Sequence, residues 1–272
     1  MQKFDTKQLN DVVNEAYEKI KGDDGGNNAD YIPFLAKVPS KLFGISVCLS
    51  DGEIVEAGDT DYVFGIESVS KVPTAILAMQ QYGADTILQK IGADATGLPF
   101  NSIRAILLEN DHPPTPRVNP GAITACTRVK PVLQDELYKS ESATNFNNRS
   151  IAWLLKNYNR IFFDAKATPD IYTRQCSMGV TARQLSICSG TIANRGVNPV
   201  TKKKVFDAEL TAKIVAMIAS VGFYEHTGDW IFTSGIPAKT GVGGGIVGVL
   251  PGVMGIAAFS PKLDGSGNSV RA

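Results

Sequence analysis

The sequence predicts an α+β fold in which an antiparallel sheet is assembled from both ends of the chain. Alternating, strand-like runs lie near the start of the 272 residues, apolar runs joined by a Pro-Gly turn lie near the end, and helical periodicity dominates between them. This length suffices for two closely packed halves with a real core. We expect a sheet half from residues 1–75 and 205–272, a helical half from 76–204, and a cleft where they meet.

The composition excludes several classes of partner. Lys and Arg together number 27, as do Asp and Glu, so no basic excess indicates nucleic acid. The N-terminus has no apolar signal core and no run approaches the roughly 20 apolar residues of a membrane span, which predicts a cytoplasmic protein without a membrane partner. The cysteines show no metal-type pairing and histidine is scarce, so we expect reduced thiols, surface histidines, no metal and no cofactor: Cys48, Cys126, Cys176, Cys188, His112 and His226.

The first elements are a helix and three strands. Asp5 is placed to cap a helix whose apolar residues fall on one stripe. Residues 43–49 and 53–57 alternate as strands do, and Ser50-Asp51-Gly52 between them suits a hairpin turn. Residues 62–66 are predicted as the third strand. The stripe and the stop signal of the first helix are Leu9, Val12, Val13, Ala16, Tyr17, Ile20 and Gly22.

The middle of the chain is predicted to be helical and its end to return to strands. Helices are expected near 70–82, 84–91, 101–110, 121–129, 147–158, 168–178, 181–194 and 207–221. Residues 230–237 then lead towards Lys239, and the apolar runs 246–250 and 253–259 follow, with Pro251-Gly252 as their turn.

Ser68 and Lys71 lie where the third strand is expected to meet a helix. Residues three apart share a helix face, so this spacing brings a hydroxyl next to an amine. At such a junction the serine N–H and the helix dipole favour a developing oxyanion, and burial is expected to lower the pKa of Lys71 enough for it to accept a proton. By itself the pattern is weak, since about one such spacing arises by chance in a chain of this length, and a helix cap with a solvated lysine explains it equally well.

A second motif, Lys239-Thr240-Gly241, strengthens the catalytic interpretation. A glycine on an edge strand lets a substrate lie against the backbone, whereas a plain Gly-rich turn explains only Gly243 to Gly245. Together the two motifs are the serine acyl-transfer signature of class A β-lactamases and penicillin-binding proteins.

The chain resembles one branch of that superfamily more closely, the serine-dependent glutaminases, and the matching stretches run nearly from end to end. This resemblance implies a serine β-lactamase-like fold, hydrolysis of L-glutamine to L-glutamate and ammonia, no cofactor, and assembly into a homodimer or homotetramer. The stretches are Ala29–Ala36, Glu67–Val72, Gly97–Ser102, Asn119–Ile123, Asn148–Trp153, Tyr172–Cys176, Gly235–Ile246 and Leu263–Asn268.

The resemblance also implies roles for individual residues. Ser68 is the expected nucleophile, Lys71 its base, and the N–H groups of Ser68 and Val242 the oxyanion hole. Tyr31 is expected beside the nucleophile, where it or Tyr224 relays a proton. Glutamine is a zwitterion, so one carboxylate must meet its ammonium, while amides and phenols meet its carboxylate. The expected substrate-binding residues are Ser68, Asn119, Glu141, Asn148, Tyr172, Tyr224 and Val242, and Lys239, Thr240 and Gly241 support them.

Taken singly, these residues have structural explanations. Glu141 lies in Lys139–Ser142, which alone suggests a solvated loop, Asn119 before a proline suggests a turn, and the tyrosines suggest packing. The chain also departs from the family pattern: Pro120 replaces the usual alanine, the segment from Asn119 to Glu141 is shortened, and the sequence given lacks the family's C-terminal helix. Two alternatives therefore remain: an enzyme acting on β-lactams or D-alanyl peptides, and a catalytically impaired protein that binds glutamine.

Overall fold

The computed structural model describes residues 5–95, 98–107, 115–116, 119, 121–122, 133–161 and 163–272, and its main feature is a five-stranded sheet. The strands in chain order are β1 (Gly44–Leu49), β2 (Ile54–Gly58), β3 (Phe64–Gly65), β4 (Gly179–Val180), β5 (Ala238–Thr240), β6 (Gly245–Leu250) and β7 (Met254–Phe259). The sheet has the order β2-β1-β7-β6-β5, and all of its neighbours are antiparallel. The prediction of an antiparallel sheet built from both ends of the chain is confirmed.

Helices cover the sheet and fill the middle of the chain. They are α1 (Thr6–Ile20), α2 (Lys71–Tyr82), α3 (Ala84–Ile91), α4 (Arg104–Leu107), α5 (Asp135–Thr144), α6 (Phe146–Asn157), α7 (Ala167–Cys176), α8 (Ala182–Ala193), α9 (Thr211–Ser220) and α10 (Thr227–Ser234). Short 3₁₀ turns lie at Leu35–Lys37, Glu67–Ser70, Ala208–Leu210 and Tyr224–His226. None of the described helices combines the length and the hydropathy needed to cross a lipid bilayer.

The two faces of the sheet are covered by helices from different parts of the chain. Helix α1 begins as predicted, with the Asp5 carboxylate accepting from the backbone N–H of Lys7 at 2.9 Å, and packs against β1 and β2. Helix α8 lies on the opposite face, where a Cβ at Gly255 would come within 2.0 Å of the backbone nitrogen of Gly190. Glycine at position 255 therefore sets how closely this helix approaches the strands.

The helical layer beyond the sheet has its own apolar core. Ile151, Ala152 and Leu155 on α6 are fully buried and pack with Tyr172 and Cys176 on α7. Helix α8 lies within residues 76–204 but packs on the sheet, and the division of the chain into sheet and helical halves stays a prediction.

Two local predictions are wrong. Residues 62–66 do not form a third strand of the main sheet, because only Phe64 and Gly65 are extended and they pair with β4 in a separate ribbon. Residues 230–237 are not a strand approaching Lys239, because α10 extends to Ser234 and Gly235 ends it in the left-handed region with φ 65°. Glu141 lies buried on α5, which argues against the alternative explanation of a solvated loop. The predicted helix at 121–129 lies mostly outside the described residues.

Candidate active site

The predicted nucleophile lies in the short turn that connects β3 to α2. Ser68 is in the 3₁₀ turn Glu67–Ser70, and Lys71 is the first residue of α2. Glu67 has φ 47°, an uncommon backbone conformation for a residue with a side chain, and the chain turns sharply there. The Lys71 Nζ donates to the Ser68 Oγ at 2.9 Å, and both residues are buried. The structure therefore brings the predicted nucleophile and its base into direct contact.

A network of hydrogen bonds extends from Lys71 into the helical layer. The Lys71 Nζ also donates to the Asn119 Oδ1 at 2.8 Å, and because an ammonium has only donors the amide oxygen must face it. The Tyr172 hydroxyl donates to the same oxygen at 2.9 Å, and the Asn119 Nδ2 donates to the Asn148 Oδ1 at 2.8 Å. Both amides thus use their oxygens within the network, so they present nitrogen donors to a ligand, as recognition of a carboxylate requires.

Strand β5 and the turn after it lie directly against the nucleophile. A Cβ at Gly241 would lie 3.2 Å from the backbone nitrogens of Ser68 and Val69, which is closer than ordinary van der Waals contact. This approach brings Val242, the next residue and part of the cleft lining, close to Ser68. The structure is therefore compatible with the predicted oxyanion hole.

Lys239 lies behind the cleft and not in its lining. It is fully buried, and its Nζ donates to the carbonyls of Thr240 at 2.7 Å and Gly222 at 3.3 Å. The same ammonium lies 4.6 Å from the centroid of the Tyr224 ring. Lys239 thus packs against the ring of Tyr224 through a cation–π contact, and its supporting role stays a prediction.

The two tyrosines predicted beside the nucleophile occupy different positions. Tyr224 is buried near Ser68 with its ring 4.6 Å from the Phe100 ring, and its hydroxyl makes no hydrogen bond of ordinary geometry to the described residues. Tyr31 is 54% exposed at the mouth of the cleft. Burial raises the pKa of Tyr224. Desolvation of the hydroxyl together with the Glu67 carboxylate raises the pKa of Tyr31, although the side chain as a whole is half exposed. Both phenols are therefore neutral proton donors near pH 7.

Buried carboxylates form the other end of the site. Glu141 on α5 is only 6% exposed, and its Oε2 accepts from the Ser177 hydroxyl at 3.3 Å. Burial is the main reason that the pKa of Glu141 is raised to about 8. A carboxylate oxygen of Glu67, one of Glu141 and the Sγ of Cys176 lie within 4.8 Å of one another. Burial also raises the pKa of the Cys176 thiol well above its usual value, so this thiol is neutral and not a nucleophile.

Ser68, the asparagines and the buried carboxylates line one cleft of about 170 Å³, which suits a small molecule, whereas Lys71 and Tyr224 lie outside its lining. The sequence interpretation missed Glu67, Phe100 and Cys176 as cleft residues, although all three lie in stretches that carry the family resemblance. Among the other predictions, His226 is exposed, whereas Cys126, His112 and Pro120 lie outside the described residues. The lining is Tyr31, Ile32, Glu67, Ser68, Phe100, Asn101, Asn119, Glu141, Thr144, Asn145, Asn147, Asn148, Tyr172, Cys176 and Val242.

Comparison with known proteins identifies the family. The family model described as Glutaminase matches residues 26–136 and 127–272. A glutaminase of Bacteroides thetaiotaomicron is 68% identical over 288 positions, which cover 97% of this chain and 90% of the relative. The chain belongs to the glutaminase family. Glutaminase 1 of Escherichia coli O157:H7 is 44% identical over 98% of this chain and 94% of its own length.

The fold of this family member agrees with a solved structure. The probable glutaminase ybaS superposes with a TM-score of 0.96 at 44% identity, over 99% of this chain and 94% of that one. The predicted fold class is confirmed. The alignment with the B. thetaiotaomicron enzyme has more positions than this chain has residues, so that relative carries residues that are missing here. The family match is split into two segments that overlap at residues 127–136, within the segment predicted to be shortened.

Proposed function

We propose that this glutaminase hydrolyses the side-chain amide of L-glutamine through an acyl-enzyme on Ser68. The Ser68 Oγ attacks the amide carbon while Lys71, which must first lose its ammonium proton to solvent, accepts the hydroxyl proton across their hydrogen bond. The backbone N–H groups of Ser68 and Val242 stabilise the resulting oxyanion. The C–N bond then breaks, a proton passes to the leaving nitrogen, and ammonia departs from a γ-glutamyl ester.

Water completes the reaction by attacking that ester. A neutral phenol donates a proton to the departing nitrogen and regains one from the attacking water. Tyr224 is buried beside Ser68, which makes it the better placed relay, whereas Tyr31 lies at the mouth of the cleft and can close over the substrate. As the ester breaks, Lys71 returns its proton to the Ser68 oxygen, and the products are L-glutamate, ammonia and free Ser68.

The other end of the cleft accounts for recognition of a free amino acid. Glu141 is the proposed partner of the α-ammonium, since a buried carboxylate needs a charged partner. The amide nitrogens of Asn119 and Asn148 are oriented by the network to donate to the α-carboxylate. Tyr172 holds Asn119 in that orientation and contributes to the same end.

One observation carries the proposal: a serine in contact with a buried lysine shares a small cleft with a buried carboxylate. A β-lactam or D-alanyl peptide offers no ammonium at that position, so the carboxylate would stay unpaired. The glutaminase activity is therefore favoured over the related acyl-transfer activities.

Ammonia release from the purified protein tests the proposal. We expect release from L-glutamine by wild type and none by Ser68→Ala, with Ser150→Ala as control because Ser150 is an exposed helix serine outside the cleft. Calorimetry should still detect glutamine binding to Ser68→Ala. Ammonia release that survives the Ser68 substitution would contradict the mechanism. Rapid hydrolysis of a chromogenic cephalosporin with no action on glutamine would favour the β-lactam activity, and glutamine binding to wild type without turnover would favour the impaired protein.

Three further properties stay predictions: the absence of a cofactor, the localisation and the oligomeric state. The reaction as written needs no metal or cofactor, so EDTA should leave activity unchanged. Cytoplasmic localisation and a homodimer or homotetramer follow from the sequence and the family resemblance. Light scattering of the purified protein over a concentration series tests the assembly, and a monomer throughout would contradict it.

A further inference from the structure

A second buried carboxylate lies beside the one assigned to the substrate ammonium. Glu67 immediately precedes Ser68, is 3% exposed and lines the cleft. One of its carboxylate oxygens lies within 4.8 Å of one from Glu141. We call Glu67 and Glu141 the carboxylate pair. The mechanism above uses Glu141 alone and leaves Glu67 without a role.

The groups around the pair do not stabilise two negative charges. The Oε1 of Glu67 is buried without a hydrogen-bond partner among the described residues, whereas Glu141 accepts from Ser177. Lys71 is the cation that acts on both carboxylates, but its Nζ is already hydrogen-bonded to Ser68 and Asn119. Ionising both of two buried carboxyls this close carries a large free-energy penalty from desolvation and mutual repulsion. The pair therefore keeps a proton when the cleft is empty.

The other acidic groups that face the pair do not release a proton near neutral pH. Burial and the repulsion from Glu141 raise the pKa of Glu67 well above its usual value, and burial raises the pKa of Glu141 to about 8. The phenols and the thiol that face the pair have raised pKa values and stay neutral. The ionisable groups that face the pair are Lys71 on α2, Cys176 on α7, Tyr31 in the loop after α1 and Tyr224 in the turn before α10.

The backbone around Glu67 is shaped to keep its side chain in the cleft. A Cβ at Gly243 would lie 3.1 Å from the Glu67 Cγ and 2.2 Å from the carbonyl oxygen of Gly65. Glycine at position 243 thus leaves room for this carboxylate, and the positive φ of Glu67 is held by a hydrogen bond of 2.6 Å from the Ser70 hydroxyl to the Glu67 carbonyl. The side chain is a packed part of the site and does not point to solvent.

We infer that Glu67 and Glu141 together receive the α-ammonium of glutamine, and that the ammonium displaces the proton that the pair shares in the empty enzyme. The inference rests on the proposed function, because it takes glutamine as the ligand. In the exchange one proton leaves to solvent and one ammonium enters, so the net charge around the carboxylate pair does not change. Both carboxylates of the occupied site are ionised and face the same cation.

Substrate affinity consequently depends on pH. Below the pKa at which the pair releases its proton, proton and substrate compete, and the Kd for glutamine rises about tenfold for each unit that the pH falls. Above that pKa the dependence disappears, until the substrate ammonium itself titrates. Nα-Acetylglutamine has no ammonium and cannot displace the proton, so it should bind without proton release.

Isothermal titration calorimetry in buffers of different ionisation enthalpy counts the protons released. Ser68→Ala titrated with L-glutamine near pH 8.5, above the pKa of about 8 for Glu141, should release close to one proton per molecule bound, in buffers that contain EDTA. Adding Glu67→Gln should remove most of the release at this pH, because Glu141 alone, with a pKa of about 8, has already lost most of its proton before glutamine binds. Glu136→Gln, an exposed carboxyl on the same helix as Glu141, is the matched control and should keep the release.

The possible outcomes separate the inference from the proposed function. Glutamine binding without proton release, or release that is unchanged by Glu67→Gln, overturns the inference and leaves the glutaminase mechanism intact. No glutamine binding at any pH contradicts both. If the Glu67→Gln protein does not fold, wild type titrated with L-glutamate still decides, since this product carries the same ammonium: release near one proton supports the inference, and none refutes it. Glu67→Asp, which keeps the carboxyl, should restore the release.

Discussion

The two ends of the cleft differ in how completely their polar groups are paired. At the nucleophile end, defined by Ser68 and Lys71, the lysine Nζ donates to the serine Oγ at 2.9 Å. At the ammonium end, defined by Glu67, Glu141 and Cys176, an oxygen of Glu67 has no partner among the described residues. The reactive groups are thus ordered before substrate arrives, whereas the binding groups are left to be completed by the substrate's charge.

This difference predicts that the two ends control different kinetic constants. Changes at the nucleophile end should lower kcat, because its contacts act on the transition state, and changes at the ammonium end should raise KM. The following predictions use single substitutions to test this separation.

Replacing the base should have the largest effect. Lys71→Met keeps the length of the side chain but cannot accept the Ser68 proton, so we expect kcat to fall by about 10²–10⁴-fold with little change in KM. Steady-state ammonia release measures both constants. Lys90→Met, at an exposed position of α3, is the control. A rise in KM as large as the expected fall in kcat, with kcat itself unchanged, would mean that Lys71 serves binding and not the chemical step.

Neutralising the ammonium partner should affect KM instead. Glu141→Gln removes one member of a buried charge pair, which typically costs about 2–5 kcal/mol, so KM should rise roughly 10²-fold. The smaller expected change is in kcat, since the amide carbon lies at the other end of the cleft. The same assay with Glu136→Gln as control tests this. If Glu141→Gln lowers kcat and leaves KM unchanged, the separation of the two ends is wrong.

The carboxylate pair should also make the stability of the empty protein depend on pH. A carboxyl whose pKa is raised by folding favours the folded state below its unfolded pKa of about 4.5, and this contribution is lost as the pH rises through the folded pKa, about 8 for Glu141. The free energy of unfolding should therefore fall by a few kcal/mol between about pH 5 and pH 8, since each unit of pKa corresponds to about 1.4 kcal/mol.

Urea unfolding of the substrate-free protein measures this dependence. Glu67→Gln should reduce the slope, because it removes one of the two carboxyls and its repulsion of the other. Stability that rises over the same pH interval, or a slope that does not respond to the substitution, would show that the pair is ionised when the cleft is empty.

The predictability of the fold follows how local its signals are. Asp5 as a cap and Ser50-Asp51-Gly52 as a turn involve neighbouring residues, and both predictions are confirmed. Helix α5 was missed because it buries only Leu137 and Glu141 and shows no apolar stripe. Helix α10 was missed because Trp230, Ile231 and Phe232 are three consecutive residues that favour strands and show no helical periodicity. Phe232 is 91% exposed, so the apolar residues of this segment do not mark one buried helix face.

The predictability of the site follows the same rule. Ser68 and Lys71 are three residues apart on a helix, so their contact could be predicted from spacing, and the family resemblance supplied the remaining expected residues. The position of Glu67 against Glu141 depends on how α2, α5 and α7 pack, and a carboxylate at the start of a helix has an ordinary electrostatic explanation. Sequence spacing alone contains no information on such a contact.

The central claim is that Ser68 carries a γ-glutamyl ester during turnover. The most direct test is a rapid acid quench of wild type with excess L-glutamine, followed by intact-protein mass spectrometry and mapping of the modified peptide. We predict an added mass of one γ-glutamyl group on the peptide that contains Ser68, absent from Ser68→Ala and present in Ser150→Ala. A γ-glutamyl ester on any other residue would contradict the account.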